Sequence, residues 1–423
     1  MEADRMILGD GPNCIFSTDS MVTGINNNVL VAACSGAGKT MSITEAMFLE
    51  LYHRSVIATV TKRCIVNKYG PAMKKRGYSV LDLDFVHPER GNVGYDPLDF
   101  ICSYQDITFV AKSVVISNPR KEKSNADPYW DEAATSLLSA EIAYVLMTKD
   151  DATFADVLEM HDKLVFEEYG GQIRTNFDDK FEFLEERESS CFAVNCWKSF
   201  KKLPIKTSSC VFGTLNTTID SIFSPELRKM FRMKKKVDFE KLASKKTVLF
   251  VTSSPVNPTL NCFINLFYGH AFKQLFEFGE EQSDGKLPIP VHVIADDFAT
   301  GCPVNMFDEY ISIFREKGIS VTLLIQSESQ LISMYGIDAA TTIINNCDSY
   351  VYMGSNDLHT AHNISLRANK PLEDVLYMPI GSQILFRRGQ KPIISQRYNI
   401  LENEIYQNIT RQYERRIIAE RRQ

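Results

Sequence analysis

The residues best suited to chemistry lie in one stretch, Val29-Leu30-Val31-Ala32-Ala33-Cys34-Ser35-Gly36-Ala37-Gly38-Lys39-Thr40. An apolar run of strand length meets a small-residue turn, then Gly-Lys-Thr, then a helical pattern from Met41 to Tyr52. In such a strand–loop–helix, backbone N–H groups from Ser35, Gly36, Ala37, Gly38, Lys39, Thr40 and Met41 face inward. The helix start adds its positive dipole, so a polyphosphate can sit there. Lys39 would supply a point charge to the β- and γ-phosphates of ATP, and the Thr40 hydroxyl a ligand to Mg2+. Lys39 is therefore expected to be solvent-accessible while no nucleotide is bound. The spacing is that of G-x-x-x-x-G-K-[ST], with Ala33 at the first glycine. If that position needs a positive φ, alanine costs about 1–2 kcal/mol there; if φ is negative, the change is nearly free. The bland alternative, glycines that only turn the chain, does not account for the flanking strand and helix.

Further candidates follow. Asp296 and Asp297 end a short apolar strand, where a phosphate-loop enzyme places its second acidic motif. The first acid would hold Mg2+ through water and the second would polarise the attacking water. The usual second residue is glutamate, one methylene longer than Asp297. Gln326 ends the next strand, where its amide either reports a γ-phosphate or is only a polar strand end. Arg315 ends a helix whose stripe of Met306, Tyr310, Ile311 and Phe314 should bury against the sheet. It is either an arginine finger for a neighbouring copy or part of a solvated face. His359 and His362 have no third ligand nearby, so a surface helix accounts for them better than a metal. Lys234-Lys235-Lys236, Arg415-Arg416 and Arg421-Arg422 read as solvated basic faces.

These residues need a scaffold. The 423 residues, 44% of them apolar and 24% charged, exceed what one core fills comfortably. A net charge of −6 argues against a chain coated in nucleic acid and leaves room for a local basic lining. Ten scattered cysteines without a Cys-x-x-Cys pair read as free thiols in a reducing compartment. There is no signal segment after Met1 and no apolar run of about 18 residues, so a soluble chain is expected.

Strand signals at Ser55–Val60 and Tyr78–Asp84 alternate with a helix around Tyr69–Arg76, which implies a parallel sheet. From Asp106 to Ala243 the pattern is helical, including a polar loop Asn118–Asp127 with Arg120, Lys121 and Lys123. Strand signals return at Thr247–Thr252, Pro290–Phe298, Ser320–Ser327 and Ser349–Gly354, followed by a hairpin, Gln383–Arg387 with Pro392–Gln396. The predicted fold is α/β: a mostly parallel sheet flanked by helices, carrying an inserted all-α domain. The expected divisions are 1–104 and 244–400 as halves of a nucleotide-binding domain, 105–243 as the insertion, and 401–423 as a charged helix.

At this point the chain resembles the coupling-protein ATPases of conjugation and type IV secretion (TraG/TraD type). The resemblance is strongest in Ala295-Asp296-Asp297-Phe298-Ala299, Phe314-Arg315-Glu316-Lys317-Gly318-Ile319-Ser320-Val321 and Gln326-Ser327-Glu328-Ser329-Gln330-Leu331. It continues through Tyr335-Gly336, Thr341–Asp348 and Gly354-Ser355-Asn356-Asp357. Earlier, Asp84–Leu98 is similar to the family's Pro-Glu-Arg…Gly-Tyr-Asn-Pro segment, with Asp96 for Asn, and Trp130–Ala134 to the opening of a helix in its all-α domain. Several uncommon strings in the right order cover roughly residues 23–400. The resemblance implies a RecA-like P-loop hexamer using ATP and Mg2+. Such a motor hands relaxase-bound single-stranded DNA to a type IV secretion channel and its ATPases, in the bacterial cytoplasm at the inner face of the membrane.

By position, Lys39, Thr40, Asp296, Asp297, Gln326 and Arg315 take the roles argued above. The sequence departs from the pattern at Ala33, at Asp297, at Val60-Thr61-Lys62-Arg63-Cys64, and in lacking N-terminal membrane helices. Two other readings use the same residues: a catalytically weak nucleotide-binding adaptor that recruits relaxase or effector proteins, and a small-molecule kinase. The helical stretch of about 140 residues has no Arg-rich lid and argues against the kinase.

Overall fold

The computed structural model describes residues 4–117, 128–169, 172–188, 190–254 and 257–420. The Asn118–Asp127 loop and Arg421-Arg422 lie outside the described residues. The chain divides into two compact units: Met1–Asp82, Asp238–Ser253 and Ala271–Gln423 form one, Leu83–Val237 and Ser254–His270 the other.

In chain order the strands of the first unit begin with a ribbon, β1 (Arg5–Ile7) against β2 (Ile15–Ser17). Next come β3 (Val29–Ala32), β4 (Ser55–Val60) and β5 (Ser79–Asp84). β6 (Phe166–Tyr169) and β7 (Gln172–Thr175) belong to the second unit. The series ends with β8 (Thr247–Thr252), β9 (Val291–Ala295), β10 (Ile319–Ile325), β11 (Ser349–Tyr352), β12 (Ser382–Arg387) and β13 (Ile393–Gln396). Nine of these build one sheet in the order β13-β12-β11-β3-β10-β9-β4-β8-β5. Its middle, β11-β3-β10-β9-β4-β8, is parallel, and β12 and β13 close the edge antiparallel.

Every residue of β3, β4, β8, β9 and β10 is buried, which is why these strands read as near-continuous apolar runs rather than alternations. Phe48 and Met47, on the helix after the loop, pack with Val31, Phe250 and Leu324 in the core. Each such large side chain contributes on the order of 1.5–3 kcal/mol when fully buried. One polar group sits among them: His292 of β9, fully buried, with Nδ1 2.7 Å from Ser320 Oγ and Nε2 2.9 Å from Thr322 Oγ1. Burial, and then the charge of Arg54, push its imidazole down to about 3.

The second unit is built on helices Tyr104–Ile116, Pro128–Thr148, Phe154–Asp162, Asp178–Arg187, Phe192–Lys201, Ile205–Ile222 and Pro225–Phe231. It adds the β6–β7 ribbon, which the helical pattern of the sequence did not announce. It also takes in residues before 105 and after 243, because Tyr95 is part of its core. The Tyr95 ring lies 5.2 Å from Phe267 and 5.7 Å from Phe100, and its hydroxyl is 2.8 Å from His270 Nδ1. Beside it Asp96, fully buried, accepts from the Leu98 and Phe154 N–H groups and is paired with Lys236 at 3.2 Å. Lys236 is therefore a structural counter-charge and not part of a solvated face. Desolvation raises the Asp96 carboxyl to about 6, against the pull of Lys236.

Candidate nucleotide site

The loop after β3 is held at its stem by the two neighbouring strands. Ala33 N–H donates to Ile325 O at 3.1 Å and Cys34 N–H to Gly354 O at 3.0 Å. Gly36 and Gly38 have φ of +81° and +91°, left-handed values that glycine tolerates without penalty. Ala33 is not among the described residues with positive φ. Its methyl therefore carries no left-handed strain, and the missing glycine costs the backbone nothing there. The chain then turns into a helix whose first turn, Thr40–Glu45, is of π type and which continues as α over Ala46–Glu50. Ser42 secures the junction, its N–H and hydroxyl both donating to Gly38 O, at 3.0 and 2.7 Å.

Lys39 departs from expectation. It is only 8% exposed, because its ammonium folds back on the loop and donates to Ala33 O at 2.5 Å and to Cys34 O at 3.4 Å. Inward carbonyls attract a cation wherever no anion competes for it. Burial lowers the Lys39 pKa, while the charges of Asp297 and Asp296 raise it.

The acids come from the far half of the same unit. Asp296 follows β9, and its Oδ2 accepts from Thr40 Oγ1 at 3.0 Å across 256 positions of sequence. Desolvation, then the neighbouring Asp297 charge, raise the Asp296 pKa; the Thr40 bond and Lys39 oppose them. Asp297, partly buried, adopts φ +53°, a left-handed conformation in which Asp and Asn are the enriched non-glycine residues. The bend places successive carboxylates on a sharp turn, fixed behind by Thr300 Oγ1 donating to Asp297 O at 2.8 Å. Gln326 follows β10 directly, one residue beyond the Ile325 carbonyl that anchors the loop stem, and its side chain is exposed. Ser35, Gly36, Ala37, Gly38, Lys39, Thr40, Asp296, Asp297 and Gln326 thus all gather where the parallel strands end.

Arg315 does not join them. It lies near the end of helix Phe307–Lys317, ahead of the start of β10. Seven residues of strand, about 20 Å at ~3.3 Å per residue, separate that edge from Gln326. There it lines a cavity of about 450 Å³ with Asp4, Asp19, His53, Arg54 and Ser320. Ile311 and Phe314 are buried as the stripe predicted and Tyr310 is partly buried; Phe307, outside the predicted stripe, is buried with them, whereas Met306, left-handed at the N-cap, is 45% exposed. His359 and His362 sit on the exposed face of helix Leu358–Ala368, and among the described residues no group of three or more His, Cys, Asp or Glu is placed to hold a metal.

One side chain reaches the loop unannounced. Arg397, just after β13, donates from Nη1 to Ala37 O at 2.8 Å. Nothing in its sequence neighbourhood marks it, since 360 positions separate the two residues.

Sheet order and the loop after β3 define a P-loop fold of the RecA-like class. A model of the family described as "Type IV secretory system Conjugative DNA transfer" matches residues 6–369, and the chain belongs to that family. Among solved structures, the unbound monoclinic form of the bacterial conjugative coupling protein TrwBdeltaN70 is similar with a TM-score of 0.66. That match has 16% identity and covers 93% of this chain and 88% of that one. The plasmid coupling protein TrwB in complex with ADP and Mg2+ gives 0.64 at 17% identity, over 88% and 85% of the two chains. VirB4 of Thermoanaerobacter pseudethanolicus gives 0.60 at 11% identity, over 96% and 99%. At these identities the likeness is one of fold. No curated protein is significantly similar in sequence. Among the described residues no helix is long and apolar enough to cross a membrane.

Proposed function

We propose that this chain is the ATP-driven coupling protein of a conjugative DNA-transfer system. The observation that carries the reading is the Thr40–Asp296 hydrogen bond, which joins the loop to the acidic strand end beside a buried Lys39. The hydroxyl and carboxylate are hard oxygen donors at one point, a set that fits Mg2+; Thr40 and Asp296 would hold it, and the bound cation would neutralise polyphosphate charge. The backbone of Ser35–Met41 binds the phosphates of ATP, and Lys39 exchanges its loop carbonyls for phosphate oxygens. Asp297 orients the attacking water and takes its proton on the carboxylate. Gln326, at the next strand end, reports whether the terminal phosphate is present. TrwB has been solved with ADP and Mg2+, and the similarity of fold supports the same ligands here.

Arg315, at the opposite edge of the sheet, serves the site of a neighbouring copy, so the working form is a ring, a hexamer by family resemblance. The substrate moved is single-stranded DNA delivered with its relaxase, and the receiver is a type IV secretion channel with its ATPases, at the cytoplasmic face of a bacterial membrane. The first compact unit supplies the nucleotide machinery and ends in the trailing stretch 401–423, and the second is the partner-facing insertion. The test is ATP turnover against protein concentration, with and without single-stranded DNA. Turnover that rises with both supports the motor. Nucleotide binding with no turnover under any condition returns the chain to the adaptor reading.

A further inference from the structure

We infer that Arg397 is a second cation of the nucleotide site, acting in cis and binding the polyphosphate from the C-terminal side of the sheet. The inference rests on the reading of Ser35–Thr40 as a nucleotide loop. Three observations carry it. The guanidinium donates to Ala37 O at 2.8 Å, so it lies on the loop itself. A Cβ built on Gly38 would stand 2.7 Å from Arg397 Nη1 and 3.4 Å from its Cζ. Gly38 is required for its φ of +91°, and the arginine is laid directly against it. Finally, its backbone is anchored from behind. Arg397 N–H donates to Gly381 O at 2.7 Å, and Gly381, with φ +94°, makes the turn that leads into β12.

Chemistry then limits what the residue does. Ala37 O is its one hydrogen-bond acceptor among the described residues, and a guanidinium offers several N–H donors in a rigid fork suited to phosphate. A structural arginine would be expected to meet a carboxylate; this one is exposed beside glycines whose backbone is arranged for an anion. Lys39 neutralises the loop from inside while Arg397 stands at Ala37 and Gly38. A nucleoside triphosphate entering between them meets two cations donated by the same chain. The consequence is specificity for charge: Arg397 favours the triphosphate over poorly charged nucleotides, and it ties the β12–β13 edge to occupancy of the site.

The experiment is calorimetric titration of the full chain with Mg2+-ATP, Mg2+-ADP and AMP at two salt concentrations. Wild type, Arg397→Gln, Arg397→Lys and Lys39→Met are compared. Arg397→Gln keeps a neutral donor for Ala37 O and removes the charge. It is expected to bind ATP roughly tenfold more weakly, a charge-assisted bond discounted for exposure. AMP should be little affected, and the salt dependence of ATP binding should flatten. Arg397→Lys should recover most of the loss. Wild-type ATP affinity in Arg397→Gln, or equal loss for ATP and AMP, overturns the inference. Weak binding by wild type itself, or no loss in Lys39→Met, overturns instead the nucleotide reading beneath it.

Discussion

Replacing Lys39 with methionine tests the buried ammonium directly. Met keeps the length of the stem and removes the charge that now rests on Ala33 O at 2.5 Å and Cys34 O at 3.4 Å. Without nucleotide the effects on stability oppose each other. A buried cation, held at lowered pKa by desolvation, is eliminated, which is favourable. Two acids, Asp296 and Asp297, lose the positive charge facing them, and Ala33 O loses a donor, which is unfavourable. The expected net change is within about 1 kcal/mol, or roughly 2–4 °C in Tm. With nucleotide the balance is one-sided, because a hydrogen bond to a charged group contributes about 1.5–3 kcal/mol. That corresponds to roughly 10- to 150-fold in Kd. Titration with a non-hydrolysable ATP analogue and Mg2+ measures the affinity, and thermal unfolding without nucleotide measures the fold. An affinity within twofold of wild type, in a variant of unchanged Tm, refutes the placement of phosphate beside Lys39.

The two acids should separate. Asn also adopts the left-handed backbone of Asp297 without penalty, so Asp297→Asn isolates the charge; it should retain Mg2+-ATP binding and lose on the order of 10²–10⁴ in turnover. Asp296→Asn should instead weaken the Mg2+-dependent part of nucleotide binding, and equal effects of both variants on binding would contradict the division of labour. Because the Asp296 pKa is raised, Mg2+-dependent affinity should begin to fall at a pH above the ordinary carboxylate range. His292, held neutral with its pKa lowered to about 3, makes a stability prediction independent of function. Its unfolded form takes up a proton near 6.5, so the folded state is penalised as pH falls from there towards 3, by about 2 kcal/mol at pH 5. His292→Gln should flatten that acid limb of Tm against pH, and an unchanged slope would show that other groups set it.

What could be read from the sequence was local, and what could not depended on distant chain segments. The loop was legible because strand, glycines, lysine and helix lie within about two dozen residues, and Asp296-Asp297 because an apolar strand precedes them. The cost of Ala33 hung on one backbone angle, which composition does not encode. Lys39 was expected in solvent; its burial follows from where the Ala33 and Cys34 carbonyls point once the helix has started. Nothing singled out Arg397, and Lys236 read as part of a solvated face. Their partners, Ala37 and Asp96, lie 360 and 140 positions away. Asp84–Leu98 was legible through its resemblance to a family segment and not through periodicity; Tyr95 is a core residue of the second unit, because an aromatic cluster needs no periodicity. The β6–β7 ribbon escaped notice because its strands are four residues each and largely polar.

The central claim is a motor whose sites are completed between copies, and mixing variants tests it. Arg315 stands at the edge of the sheet opposite Thr40, Asp296 and Gln326, so its own subunit's loop is out of its reach. Arg315→Ala should retain ATP affinity and lose on the order of 10³–10⁵ in rate, the contribution of an arginine supplied in trans. Lys39→Met should be inactive for want of nucleotide. At an interface between the two, one subunit offers Arg315 and the other an intact loop. Mixtures shown to co-assemble should therefore recover part of the ATPase activity that neither variant has alone. No recovery in such mixtures, or full activity in Arg315→Ala by itself, would contradict the account.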